Sequence, residues 1–250
     1  MSLARLEEHR RIWDAKPVLA EVYAAWFDAL LGSVAPDGLV LEVGAGPGFL
    51  KPYVRRTAPG LRFVTSDRLS TPWNDVVADA LRLPVRTGAL DGMVGLDVLH
   101  HLAAPAWFFA EAARVLKPGA RLAVVEPWVT LFSYPIYRWL HQEGCRLGLD
   151  PWDPFAGRGG PAKEAFDGDA AVVWRLVKAT PADRWRELGF EAPRVEVLNA
   201  FGYLLSLGFK PGSLLPRRAG PCMARLDRAL RPAAGWLGLR ALVVWRRGPC

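Results

Sequence analysis

Cysteine is scarce: three in a chain of 250 residues, and Cys145, Cys222 and Cys250 are odd in number and far apart. That spacing gives neither a disulfide frame nor a cysteine zinc site, and free thiols lead us to expect a cytoplasmic chain. No apolar run approaches the roughly 18 to 20 residues of a membrane span. The opening MSLARLEEHRR is charged almost from the start and lacks a signal-peptide core. No internal repeat is evident. What is there, 51% hydrophobic and 23% charged residues, is the composition of an ordinary globule with a sizeable core. The length allows one large α/β domain, or one domain plus a cap.

Charge is unevenly placed. Nine basic residues lie between Lys210 and Cys250 against Asp227 alone, so this tail carries +8 and the rest −1 of the formal +7. Nucleic-acid binding would ask for a basic face on the whole fold, so no nucleic-acid partner is expected.

Residues 1–31 read as one or two helices, with Ile12, Leu19, Val22, Trp26, Phe27 and Leu30 at three- and four-residue steps and a break at Pro17. Strands and helices then alternate. Strands are expected at Leu39–Val43, Leu61–Ser66, Val76–Ala78, Met93–Leu96 and Arg121–Glu126, with helices at Gly48–Thr57 and Pro105–Leu116. That order implies a parallel sheet with right-handed crossovers, a doubly wound Rossmann-like α/β fold. The pattern lapses at 127–179. It resumes with Thr180 as N-cap and Pro181 at the first position of a helix ending at Gly189. A strand at Val195–Leu198, a second interruption at 199–238 and a strand at Leu239–Trp245 complete the chain. We therefore divide it into N-terminal cap helices (1–37) and a domain (38–250) with insertions at 127–179 and 199–238.

The informative stretch is Val40-Leu41-Glu42-Val43-Gly44-Ala45-Gly46-Pro47-Gly48-Phe49. A buried strand runs into three alternating glycines, which let backbone approach a ligand closely, and then into a helix N-terminus, which offers N–H groups to an anion. A dinucleotide fingerprint needs glycine at the sixth position. Phe49 stands there, which disfavours a nicotinamide oxidoreductase. Glu42 sits poorly beside a pyrophosphate but suits a ligand with an ammonium or sulfonium charge.

The loop resembles motif I of class I S-adenosylmethionine-dependent methyltransferases. Further matches follow in order: Asp67 ending the second strand, Asp79-Ala80 with Leu83-Pro84, Asp91 to Leu102 with its Leu99-His100-His101-Leu102 tail, and Arg114 to Ala120 around Lys117-Pro118-Gly119. Together they cover roughly a third of the chain, in the style of the type 11 methyltransferases. The resemblance implies a seven-stranded sheet with its last strand antiparallel. It implies S-adenosyl-L-methionine as cofactor, held by Glu42, Gly44, Ala45, Gly46, Gly48, Asp67, Arg68, Asp79, Ala80, Leu96 and Asp97. Within that set Asp67 would grip the ribose hydroxyls and Asp79 the adenine amino group. Taken singly, Asp67 would serve as well as a helix cap and Asp79 as a turn cap.

Methyl transfer asks the protein mainly for alignment and a dry pocket. A general base is needed only for a poor nucleophile. His101, His141 and Glu143 are the candidates, although His141 would as readily sit on a helix at Tyr134–Arg146. One of His100 and His101 is expected to pack beneath the loop. Strand four ends in Leu96-Asp97-Val98-Leu99, without the Pro-Pro-aromatic or Pro-Cys signatures of base-modifying enzymes, and Glu126-Pro127-Trp128 offers no cluster of hard oxygen ligands. No metal is expected.

The acceptor must be chosen by the insertions. Trp128, Phe132, Tyr134, Tyr137, Trp139, Trp152, Phe155 and Trp174 would suit a small lipophilic or glycosylated acceptor, although a cap core would look the same. Met223, Leu226, Leu230 and Leu237 share one helical face and Arg225, Arg228 and Arg231 another, a pattern that allows contact with an anionic membrane surface. Oligomeric state is not legible. The rival from another class is a non-catalytic module that binds S-adenosylmethionine or S-adenosylhomocysteine.

Overall fold

The computed structural model describes residues 2–102, 104–141, 143–153 and 168–249. Two helices, α1 (Leu3–Ala15) and α2 (Pro17–Leu31), open the chain, and Pro17 occupies the first turn of α2, where its missing N–H costs nothing. The alternating region follows as β1 (Leu39–Val43), α3 (Leu50–Thr57), β2 (Arg62–Asp67), β3 (Val76–Val77), β4 (Leu90–Leu96), α4 (Pro105–Val115) and β5 (Leu116–Pro127). Then come a short α5 (Ser133–Pro135) continued by a π-turn at Ile136–Leu140, α6 (Val172–Ala179), α7 (Ala182–Glu187), β6 (Arg194–Leu198), α8 (Phe201–Leu205), α9 (Gly220–Ala229), α10 (Ala234–Leu237) and β7 (Arg240–Arg246).

The seven strands form one sheet in the order β3-β2-β1-β4-β5-β7-β6, parallel except for β7, which runs antiparallel to β5 and β6. This is the doubly wound α/β sheet that the strand–helix alternation implies, with the antiparallel last strand that the family resemblance implies. Apolar clusters fill both faces. One gathers Phe108, Phe109, Trp185, Phe190 and Trp245, and the other Tyr23, Trp26, Phe27, Val94 and Val125. No helix among the described residues is long and apolar enough to cross a membrane.

Several local expectations are corrected. The helix placed at Gly48–Thr57 begins at Leu50, because Gly46 (φ 51°) and Gly48 (φ 75°) are left-handed and cannot be helical. The helix placed at Tyr134–Arg146 stops at Leu140, and His141 is extended (ψ 152°). The segment 127–179, read as devoid of pattern, contains α6. The amphipathic tail, in contrast, is interrupted at Pro232 as its sequence implies: α9 ends at Ala229, a 3₁₀ turn spans Arg231–Ala233, and α10 follows. Phe155 lies outside the described residues.

Thr180 does not cap α7, whose N-cap is Pro181. Its hydroxyl instead accepts from the Trp152 indole N–H at 2.9 Å. Thr180→Ala and Trp152→Phe are each expected to cost about 1 kcal/mol by loss of that bond. The double variant should cost less than the sum of the singles in urea unfolding. Strict additivity would mean that the bond contributes nothing.

The N-terminal helices and the second insertion are fastened to each other over the C-terminal edge of the sheet. Lys16 Nζ donates to the carbonyls of Ser206, Gly208 and Lys210 at 2.9, 2.9 and 2.5 Å. Trp13 stacks on Phe49 with centroids 4.0 Å apart, and His9 stacks on Phe209 at 4.5 Å. The phenylalanine that breaks the dinucleotide fingerprint is therefore a platform for the cap.

Candidate functional site

In an open parallel sheet, ligands gather outside the carboxyl ends of the strands where the order reverses. Here that edge carries the loop after β1, Asp97 after β4 and Glu126-Pro127 at the end of β5. Because β7 is antiparallel and pairs Arg240 with Pro127, the first residue of β7 reaches the same edge. These elements, together with α1, the α5 region and the second insertion, enclose a cavity of about 840 Å³.

Glu42, Gly44, Ala45, Gly46, Leu96 and Asp97 line this cavity. A Cβ at Gly44 (φ 65°) would fall 2.5 Å from Val98 Cγ2, so only glycine lets the loop turn so close to β4. Glu42 is 4% exposed, and its Oε2 makes no hydrogen bond among the described residues. Burial, reinforced by the nearby Asp67 carboxylate, pushes its pKa up to about 8. A buried acceptor oxygen without a donor fits a ligand that brings N–H or O–H groups, as the ammonium and hydroxyls of S-adenosylmethionine would.

Gly48, Asp67, Arg68, Asp79 and Ala80 are not on the cavity wall. Asp67 accepts from Gly46 N–H at 2.8 Å and Leu69 N–H at 2.9 Å, which braces the glycine loop against β2. Arg68 approaches Asp79 at 3.7 Å. Trp73 lies across Gly48, where a Cβ would fall 2.4 Å from the indole, and its Nε1–H donates to the Gly46 carbonyl at 2.7 Å. Arg10 of α1 stands 4.5 Å over that indole and donates to Pro47 O at 2.6 Å. The loop is thus roofed by groups that no motif announces.

Asp97 has a left-handed backbone (φ 54°), uncommon outside glycine though tolerated by aspartate. Its carboxylate is paired with the Arg240 guanidinium, which is 4% exposed and stands 5.1 and 5.2 Å over the rings of Trp26 and Tyr203. Arg240 has no sequence signal, because its place at this edge comes from the antiparallel register of β7.

The same cavity brings His101, His141 and Glu143 together, with His100, and His100 comes within 4.8 Å of the Asp97 carboxylate. His100 is buried, and its Nδ1 meets Glu126 Oε2 at 2.5 Å, while Glu126 Oε1 accepts the N–H groups of Val98 and Leu99 at 2.9 and 2.7 Å. Burial disfavours a charge on His100, but the carboxylates of Glu126 and Glu143 outweigh it and hold the pKa well above the usual histidine value. Burial, then the neighbouring His100, brings His101 down to about 3. Burial acts to raise Glu143, yet His100 and His101 bring it to about 2, and burial lowers His141. At neutral pH Glu143 is therefore a carboxylate and His101 and His141 are neutral imidazoles beside a charged His100. Tyr23, Ile136, Tyr137, Tyr203 and Phe209 supply aromatic and apolar wall to the cavity.

Residues 41–124, about a third of the chain, match the family described as "Methyltransferase domain". A Streptomyces fradiae relative, an uncharacterized 37.1 kDa protein in transposon TN4556, is 34% identical over 42% of this chain and 28% of its own length. The tRNA (carboxymethyluridine(34)-5-O)-methyltransferase ALKBH8 of Macaca fascicularis is 28% identical over 48% of this chain and 17% of its own. The chain thus spans under a third of either relative. A crystal structure of a SAM-dependent methyltransferase from Archaeoglobus fulgidus superposes with TM-score 0.53 at 14% identity, covering 91% of this chain and 94% of that one. The family match falls on β1 to β5 and includes the buried Glu42 and the glycine loop: residues 41–124 of this chain are similar to a methyltransferase domain.

Proposed function

We propose that this protein transfers a methyl group from S-adenosylmethionine to a small lipophilic or glycosylated acceptor, on an O, N or C atom. The cofactor supplies an electrophilic methyl carbon on sulfonium. The chain's own residues bind, align and exclude water. Glu42, Gly44, Ala45, Gly46, Leu96 and Asp97 are assigned to the cofactor within the cavity, and Gly48, Asp67, Arg68, Asp79 and Ala80 to its ribose and adenine. Residues 1–37 act as a cap over the site.

One observation carries the proposal. A single cavity joins the glycine loop to an aromatic wall and a cluster of His101, His141 and Glu143, so cofactor and acceptor share one enclosure. A non-catalytic binding module would have no use for that aromatic wall and titratable cluster. Free thiols at Cys145 and Cys222 support a cytoplasmic setting. Exposed Leu214, Leu226 and Trp236, in the segment that carries exposed Arg225 and Arg228, support contact with an anionic membrane surface.

The test is transfer of labelled methyl from S-adenosylmethionine to a panel of phenols, amines and glycosylated aromatics. His101→Gln should reduce kcat by roughly 10²- to 10⁴-fold, the usual contribution of a positioned proton acceptor. S-adenosylhomocysteine affinity should stay within a few-fold of wild type. Equal loss in both readouts would remove His101 from the chemistry.

A further inference from the structure

Three donor atoms converge on one wall of the cavity: one ring nitrogen each of His100 and His101 and a Glu143 carboxylate oxygen, all within 4.8 Å of one another. His100 Nε2 lies 3.2 Å from Glu143 Oε2, and His101 Nε2 lies 3.6 Å from Glu143 Oε1. Ligands about 2.1 Å from a tetrahedral ion are about 3.4 Å apart, and both nitrogen–oxygen distances are of that size.

The surroundings fit the same purpose. The Nδ1 contact with Glu126 turns Nε2 of His100 toward Glu143, and Glu126 is itself fixed by the backbone N–H groups of Val98 and Leu99. A carboxylate behind a ligating imidazole is the recurrent outer support of metal sites. Gly168 holds both rings, because a Cβ there would fall 2.6 Å from His100 Cδ2 and 2.7 Å from His101 Nδ1. The alternative triplet Asp97, His100 and Glu126 is spent, since Asp97 pairs with Arg240 and both Glu126 oxygens are engaged.

We propose that His100, His101 and Glu143 bind one first-row divalent transition ion. Two imidazoles and one carboxylate suit Zn²⁺ or Fe²⁺ and leave coordination positions open toward the cavity, whereas Mg²⁺ and Ca²⁺ prefer all-oxygen shells. The sequence expectation of no metal considered cysteine zinc sites and hard oxygen ligands after β5. This donor set comes instead from the 3₁₀ turn at Leu99–His101 and from the segment after the π-turn. The open positions would take a hydroxyl or carboxylate oxygen of the acceptor, a clause that rests on the methyl-transfer proposal; the ion site itself does not. With an ion on its Nε2, His101 would not itself accept a proton, and the turnover lost in His101→Gln would then come from loss of the metal.

The experiment titrates untagged full-length protein with Zn²⁺ by calorimetry and with Co²⁺ by visible absorption, without S-adenosylhomocysteine. The expected result is one ion per chain, with Co²⁺ bands of nitrogen and oxygen ligation and no thiolate charge-transfer band from Cys145 or Cys222. His101→Ala and Glu143→Gln should each weaken Zn²⁺ at least tenfold, and Glu126→Gln roughly 10- to 100-fold, with the far-UV dichroism of the wild type. No Zn²⁺ binding at micromolar concentrations, a thiolate band, or indifference to both ligand substitutions overturns the proposal. If the variants do not fold, stoichiometry and the cobalt spectrum of the wild type decide it. A separate S-adenosylhomocysteine titration keeps this outcome distinct from failure of the methyltransferase proposal.

Discussion

Asp97→Ala is expected to lower stability by about 3 kcal/mol, near the low end for breaking a buried ion pair because Asp97 keeps a partly exposed edge. For a chain of this length that is a fall in Tm of roughly 6 to 12 °C. The cause is the charge left behind. Arg240 is buried against Trp26 and Tyr203, and without Asp97 its guanidinium has lost its carboxylate partner. Asp97→Gly should cost nearly as much, although glycine relieves the left-handed backbone. Asp97→Ala combined with Arg240→Met should recover much of the loss, because the stranded charge is gone. Additive losses in that double variant, measured by thermal unfolding, would mean that the pair does not couple.

Glu42→Gln should move ligand affinity and apo stability in opposite directions. The raised pKa means the folded apo protein binds a proton that the unfolded chain releases. Its stability contribution is full below the ordinary glutamate value of 4.5 and is lost as pH rises toward about 8. The glutamine variant is neutral throughout, so its apo form should lack this decline and be the more stable of the two at pH 8. A ligand that donates to the carboxylate favours the charged form. Wild-type affinity for S-adenosylhomocysteine should therefore rise with pH up to about 8, while the variant stays flat. At pH 9 the variant should bind roughly 10- to 100-fold more weakly, the effect of losing a charge-assisted hydrogen bond. Identical pH profiles in calorimetry would remove Glu42 from the ligand.

The parts legible in sequence are those where local chemistry and topology coincide. Alternating strands and helices fixed the sheet, and the Gly44–Gly48 spacing marked a loop whose glycines do adopt left-handed backbone. What escaped depends on residues distant in the chain. Arg240 reaches the site only because β7 reverses direction, and a single antiparallel strand leaves no mark on neighbouring residues. Trp73 and Arg10 roof the loop through contacts 27 and 37 residues away. Thr180 follows the N-cap pattern but is claimed by Trp152, a tertiary bond overriding a local preference. His141 falls outside the expected helix because the backbone turns through the π-turn and opens, which brings His141 toward Glu143 at 3.9 Å. Lone histidines in the Leu99–Leu102 tail gave no hint that Glu126, a residue of β5, would fix one of them.

Calorimetric titration with S-adenosylhomocysteine, beside NADH as control, tests the central claim most directly. One equivalent should bind in the micromolar range to wild type and at least tenfold more weakly to Glu42→Gln at pH 9, with no heat from NADH. Absence of S-adenosylhomocysteine binding to folded wild-type protein, or binding of NADH in its place, would contradict the assignment of this cavity.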